Sequence, residues 1–250
     1  MTDDLRAAAQ YFPDPYRLLI RESVASTNDE LQQLGSKGAE DGLVLLALHQ
    51  SAGRGRRGAT WFSSTDDALA FSVLLRPTEP KALWSRLALA TGLAVAEAAE
   101  SFGCNAGIKW PNDVWIDGRK VAGILVEAGP DFVVIGIGIN VNTSTFPEEI
   151  QHLATSLHLG NGCPMLRSEV LSAIIQRLAV RRQQINHEFS ELLDAVRQRC
   201  VLSGRQVSMR TAQGSLTGII DRIGDGGELR LQTASGIQSL IQADEIRILD

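Results

Sequence analysis

From Gln50 to Trp61 the chain reads Gln-Ser-Ala-Gly-Arg-Gly-Arg-Arg-Gly-Ala-Thr-Trp, with three glycines and three arginines filling Gly53 to Gly58. Glycine frees the backbone and lets its N–H groups approach a ligand closely. Arginine adds fixed charge and a planar fork of donors for carboxylate or phosphate. Such a loop suits an anion and is expected to order around one. The string also matches G-x-G-x-x-G, the dinucleotide fingerprint, but its setting does not. No N-terminal βαβ unit precedes it, Thr60-Trp61-Phe62-Ser63-Ser64 rather than a clear helix follows, and no acidic residue closes a second strand about 20 residues on. It is not a Walker loop, because no Lys-Ser/Thr follows the last glycine. A nucleic-acid loop lacks an aromatic sheet or a wider basic face. A solvated charge cluster is the bland alternative.

Further residues capable of chemistry lie around it. Ser26-Thr27-Asn28 precedes a helical stretch, where these types serve equally as caps or as ligand contacts at a helix N-terminus. Lys109 stands before Trp110-Pro111-Asn112-Asp113. Asp113 reads as a turn residue or a proton acceptor. Lys120 opens an apolar strand, where lysines commonly snorkel their amine outwards. Asn140 closes another strand and could simply cap the turn.

The elements that must position these residues follow from periodicity. Thr27 and Glu30 fit a capping box, so a helix is expected from about Asn28 to Gly35. Gly42–Leu48 and Ala68–Arg76 are apolar runs suited to buried strands. Lys81–Phe102 carries helical spacing. Pro111 forces a bend between extended pieces. Asp117-Gly118 is a hairpin turn between Val114-Trp115-Ile116 and Lys120–Glu127. In the strand Phe132–Val141, Gly136 and Gly138 predict close approach of another group. Arg167–Cys200 is helical with a break near His187. From Arg205 onward, short alternating segments rich in glycine predict a small β-barrel, with a boundary near Gly204.

The 250 residues are 44% hydrophobic and 21% charged, enough for one sizeable core and a small second domain. A formal net charge of −5 argues against general attraction to DNA or membranes. No apolar run is long enough for a membrane span, and no export signal follows the acidic start Met1-Thr2-Asp3-Asp4. Cys104, Cys163 and Cys200 are expected to be buried thiols in a reducing cytoplasm, and the four histidines form no ligand pattern.

Gly53-Arg54-Gly55-Arg56-Arg57-Gly58, Lys109-Trp110-Pro111-Asn112-Asp113, Lys120-Val121-Ala122-Gly123-Ile124-Leu125-Val126-Glu127 and Gly136-Ile137-Gly138-Ile139-Asn140-Val141-Asn142 occur in this order. Together with Ser26-Thr27-Asn28 and Ala154-Thr155-Ser156-Leu157 they resemble the biotin–protein ligases over about residues 20–250. Each block alone is weak, but four in order are specific. Ala59 departs from the charged residue often found after the last loop glycine.

The resemblance implies an α+β fold. A mixed-sheet catalytic domain related to the class II aminoacyl-tRNA synthetases would span residues 1–203, followed by an SH3-like β-barrel over 204–250. It implies biotin and ATP as substrates, Mg²⁺ travelling with ATP, and a biotinyl-5′-AMP intermediate. A lysine of a biotin carboxyl carrier domain would then be biotinylated. Ser26, Thr27, Asn28 and Gln50 would help hold biotin, and Arg54, Gly55, Arg56 and Lys120 would lie along biotin and the adenylate. Trp61 would pack near the adenine, with Arg57, Asn112, Asp113 and Asn140 near the nucleotide.

In that frame Arg56 and Lys120 offset the repulsion between carboxylate and triphosphate, and Asp113 orients or deprotonates the acceptor lysine. Some relatives carry an N-terminal DNA-binding domain, for which this chain lacks the length, so no repressor role is expected. A homodimer is left open. Rival readings are a lipoate–protein ligase or octanoyltransferase, and a non-enzymatic biotin-binding sensor.

Overall fold

The computed structural model describes residues 2–61, 67–212 and 214–249; within these, the side chains of residues 2–4 and 57 are left undescribed. A seven-stranded sheet carries the order β1-β2-β3-β7-β6-β5-β4. Its strands are β1 (Arg17–Val24), β2 (Leu43–Gln50), β3 (Ala68–Leu75), β4 (Ala106–Lys109), β5 (Asp113–Ile116), β6 (Arg119–Ala128) and β7 (Val133–Asn140). Only β1 and β2 pair in parallel, and every other neighbour is antiparallel. The helices are α1 (Thr2–Ala7), α2 (Thr27–Ser36), α3 (Arg86–Ser101), α4 (Leu157–Asn161), α5 (Arg167–His187) and α6 (Phe189–Gln198). None is long and apolar enough to cross a membrane.

Strand alternation splits the sheet into two faces. Val133, Ile135, Ile137 and Ile139 of β7, with Leu69, Phe71 and Val73 of β3, enter the main core, where α3 and α5 also pack. α3 is apolar nearly all round, and Leu87, Ala90, Leu93 and Ala94 are fully buried, as a helix between a sheet and a second helix layer must be. The opposite face carries α2. There Leu31 packs with Leu45, Leu74, Phe132 and Val134 in a smaller core. Gly35 lets α2 come close, because a Cβ there would lie 2.7 Å from the Phe132 ring.

Away from that small core, the middle of the same face is lined by residues with little or no side chain, Ala70, Ser72, Gly123, Gly136 and Gly138. One cross-strand row runs Ala70, Gly138, Gly123, Asp113 and Lys109 over β3, β7, β6, β5 and β4. The row beside it runs Ser72, Gly136 and Leu125. Directly opposed residues share a face, so the register itself hollows this part of the sheet.

Several boundaries differ from expectation. Ser26, not Thr27, caps α2, accepting from the Asp29 N–H at 3.5 Å. Its backbone is extended (φ −151°) while Thr27 is already helical. α3 starts at Arg86, preceded by a 3₁₀ turn over Lys81–Leu83. Pro80 fixes that turn's entrance, and the chain turns once more before the helix begins. Cys104 is buried, but Cys163 is exposed in the turn after α4 and Cys200 is partly buried, so the expectation of three buried thiols fails. The hairpin turn is as expected, with Asp117 and Gly118 both at positive φ, 50° and 74°.

The C-terminal sheet is antiparallel, in the order β11-β10-β9-β8-β12. Its strands are β8 (Gln206–Thr211), β9 (Gly214–Ile223), β10 (Leu229–Thr233), β11 (Gly236–Leu240) and β12 (Asp244–Ile248). Val207, Ile220, Ile223, Leu229 and Leu231 belong to the same continuous core as α3 and α6. The Trp110 indole N–H donates to Gly227 O at 3.0 Å, and Arg197 Nε donates to Ile223 O at 2.8 Å.

Candidate active site

The hollowed face, the N-terminus of α2 and the glycine–arginine loop line a narrow cavity. Its inner end is polar. The Gln50 Oε1 accepts from the Thr27 N–H at 2.8 Å and from the Thr27 hydroxyl at 3.1 Å. The Gln50 amide nitrogen is therefore turned toward the loop at Gly53, where a Cβ would lie 3.1 Å from it. Ser72, fully buried on β3, donates to Asn28 Oδ1 at 2.6 Å and sits 2.7 Å from the Thr27 hydroxyl. The Asn28 amide nitrogen donates to Glu127 Oε2 at 2.7 Å. Ser26, Thr27 and Asn28 are all buried, and backbone N–H groups of the first helical turn point the same way.

The loop folds as a short hairpin. Arg54 bridges Thr60, Trp61 N–H donates to Gly53 O at 3.0 Å, and Gly55 N–H donates to Ala59 O at 2.6 Å. A 3₁₀ turn over Arg56–Gly58 closes it, with Gly58 at φ 78°. This hairpin lays the Trp61 indole on the glycine pair Gly123 and Gly138. A Cβ on Gly138 would overlap the indole, and one on Gly123 would lie 3.2 Å from it. The expected close approach to Gly136 and Gly138 is thus real, by Asn28 at the first and Trp61 at the second. The buried indole Nε1 has no hydrogen-bond partner among the described residues.

Past Trp61 a wider, more open cavity lies between the Lys109–Asp113 bend and the C-terminal sheet, with Asp244 and Arg210 on its far side. Gly55, Arg56, Trp61, Asn112 and Lys120 wall both cavities. The Lys120 ammonium is 2.7 Å from Asp113 Oδ1 and 5.6 Å from the Trp61 ring centroid. Its backbone is held on both sides, donating to Leu153 O at 2.8 Å and accepting from Thr155 N–H at 2.9 Å. Arg56 donates to Asn112 Oδ1 at 3.2 Å and reaches Asp244 Oδ1 at 3.6 Å. Asn112 is fixed in turn by Ile124, donating to its carbonyl at 2.8 Å. Lys109 lies over Trp115 at 4.2 Å. Burial lowers its pKa, Lys120 lowers it further and Asp113 opposes the shift.

The structure brings together Ser26, Thr27, Asn28, Gln50, Gly55, Arg56, Trp61, Asn112, Asp113 and Lys120 around the two cavities. Arg54 is different. Its guanidinium pairs with Asp29 at 2.5 Å and with both Glu127 oxygens at 3.2 and 3.1 Å. Asn140 lies outside the walls of both cavities, its amide donating to Thr155 O at 3.0 Å. The Arg57 side chain lies outside the described residues.

Reading the sequence alone missed Ser72, Glu127, Asp244 and the cavity-facing position of Lys109. Ser72 interrupts an otherwise apolar buried strand, a signal that could have marked it. Asp244 had no local signal.

The arrangement offers a slot with a polar blind end and a flat aromatic wall, opening between two cations into a larger space. It can hold a small, largely apolar molecule with a polar head and bring its far end to an anionic second substrate.

The biotin/lipoate A/B protein ligase family model matches residues 20–142. The chain is 38% identical over 223 residues to the biotin–[acetyl-CoA-carboxylase] ligase of Mycobacterium tuberculosis, covering 86% of this chain and 83% of that one. It is 33% identical over 236 residues to the bifunctional ligase/repressor BirA of Bacillus spizizenii, covering 91% and 73%. Among solved structures, the biotin protein ligase of Aquifex aeolicus in complex with biotin and ATP superposes with a TM-score of 0.84 at 32% identity, covering 93% of this chain and 99% of that one. On sequence and fold together, this chain belongs to the biotin protein ligases of the biotin/lipoate A/B protein ligase family.

Proposed function

We propose that the enzyme joins biotin to ATP as biotinyl-5′-AMP and passes the biotinyl group to a lysine of a biotin carboxyl carrier domain. One observation carries the reading. Arg56, Lys120, Trp61, Asn112 and Gly55 stand where the narrow cavity opens into the wide one, so two substrates meet there between two cations. Biotin lies in the narrow cavity, its ureido head toward Thr27, Asn28 and Gln50. Its carboxylate points to Arg56 and Lys120. ATP occupies the open cavity beside Trp61 and Asn112.

A carboxylate oxygen attacks the α-phosphorus and pyrophosphate leaves. Arg56 and Lys120 stabilise the charge shared between the two anions, and a water-poor slot strengthens that effect. The acceptor amine then attacks the acyl carbon, and AMP leaves as the amide forms. Asp113, held against Lys120, orients that amine or takes its proton. Mg²⁺ is read as part of the ATP substrate, bound mostly by phosphates and water. We place the chemistry in residues 1–203 and one wall of the open cavity in residues 204–250, the SH3-like domain.

Biotin-dependent ATP–pyrophosphate exchange, followed by transfer to a carrier fragment, tests the reading. Exchange with biotin but not lipoate supports it, because the blind end is built for a polar head. Exchange with lipoate alone, or biotin binding with no exchange, overturns it in favour of a lipoyl ligase or a sensor.

A further inference from the structure

We infer that Glu127 is a positioning residue that latches the Gly53–Trp61 loop to the body of the enzyme while setting the Asn28 amide at the blind end of the cavity. The proposal rests on the functional reading above only for its ligand. Glu127 stands at the far end of β6, on the hollowed face, and does not line the cavity. Its carboxylate is nonetheless shared between two parts of the wall. Oε2 accepts from Asn28 Nδ2 at 2.7 Å and from Arg54 at 3.1 Å, while Oε1 accepts from Arg54 at 3.2 Å. The Glu127 backbone carbonyl also takes the Gln32 amide at 3.3 Å, so α2 is tied to β6 here twice.

Arg54 sits in the first strand of the loop hairpin, paired with Thr60 one residue before Trp61. Its guanidinium faces two carboxylates, Glu127 and Asp29, and they raise its pKa against the opposing effect of burial. A cation so neutralised adds little attraction for a substrate anion. What it adds is position, because the fork holds Glu127 with both arms. Two arginines that look alike in sequence therefore differ in use. Arg54 fastens the hairpin to α2 and β6, while Arg56 faces the junction of the cavities.

Glu127, Arg54 and Asp29 are 29%, 38% and 48% exposed. Salt therefore reaches the latch, and its strength should fall as ionic strength rises. Opening the hairpin would lift Trp61 from Gly123 and Gly138 and release whatever lies beneath.

The test compares wild type with Glu127→Gln, Arg54→Gln and the double variant. In ligand-free protein, hydrogen exchange at the Gly55 and Trp61 amides is read at low and high salt. Dissociation of biotinyl-5′-AMP is followed separately with labelled intermediate. Each single variant should speed loop exchange and intermediate loss on the order of tenfold, beyond any fall in adenylate formation. The double variant should be no worse than the worse single. Salt should speed loop exchange in wild type but not in the variants. Unchanged loop exchange, effects that multiply in the double variant, or equal salt sensitivity in all forms would overturn the latch. If Glu127→Gln fails to fold, Arg54→Gln breaks the same link from the loop side and gives the same readouts. If wild type forms no adenylate, the functional reading falls while hydrogen exchange still decides the latch.

Discussion

The Lys120 ammonium lies 2.7 Å from the Asp113 carboxylate, at the mouth where the narrow cavity meets the wide one. The pair is about a quarter to a third exposed, so it adds little to stability. Its value is positional. β5 and β6 place the two side chains from opposite sides of the hairpin turn, and the bridge to Ala154 holds the Lys120 backbone.

Lys120→Ala should therefore cut biotin-dependent pyrophosphate exchange by about 10²–10³-fold, the usual cost of losing one preorganised charge stabiliser. The fold should survive. Exchange rates together with a thermal melt check both halves of this expectation.

Asp113→Asn keeps the shape but removes the base. Transfer from preformed adenylate to the carrier lysine should slow by about 10² or more, with adenylate formation less affected. Single-turnover measurements of the two steps separate them; equal slowing would mean that Asp113 only holds Lys120.

Gly138→Ala puts a methyl group into the Trp61 indole. The ring must lift, at a cost of about 1–3 kcal/mol. Biotin affinity should fall tenfold to a hundredfold. Titration calorimetry reads the loss, and Gly92→Ala, where a Cβ meets only an ordinary contact at 3.9 Å, is the control.

Lys109 carries a pKa lowered by burial, with Lys120 adding to the shift and Asp113 opposing it. A lysine whose folded pKa lies below its unfolded value costs stability wherever it is charged in both states. That cost is fully present below the folded pKa and is relieved as pH rises through it toward the ordinary lysine value of 10.5. Lys109→Met should thus stabilise the protein at neutral pH, with the advantage shrinking as the solution becomes alkaline. Denaturant titrations across that range give the sign directly.

Asp244 reaches Arg56 from the C-terminal sheet. Asp244→Asn should leave the fold intact and lower the rate of adenylate formation by about twofold to fivefold, as expected for a partly screened pair. Initial rates at saturating and limiting ATP show whether the change falls on kcat or KM.

Much of this was legible in one dimension. Asp117-Gly118 named its own turn, because only a tight turn with positive φ needs that pair. Gly136 and Gly138 announced a close neighbour without saying which. The cap of α2 was misplaced by one residue because Ser26 and Thr27 each have an acidic residue three positions on, and spacing cannot choose between them. What stayed hidden was long-range. Ser72 meets Asn28 across 44 residues and Glu127 meets Arg54 across 73, pairings set by strand register rather than by any local pattern. Arg54 and Arg56 are indistinguishable as letters; only the fold gives one a carboxylate cradle at the cavity wall and the other the junction of the two cavities.

The shared core beneath Trp110 and Gly227 also governs how the protein comes apart. Change of composition near Gly204 marks a seam in the sequence, yet Leu87 and Leu89 of α3 share one apolar interior with Val207, Ile223 and Leu229. A seam of letters need not be a seam of energy. Heated in a calorimeter, the molecule should give one absorption peak and not two, and a fragment ending at residue 203 should melt early or not fold. Cutting where the sequence changes character would open a wound in the catalytic half itself.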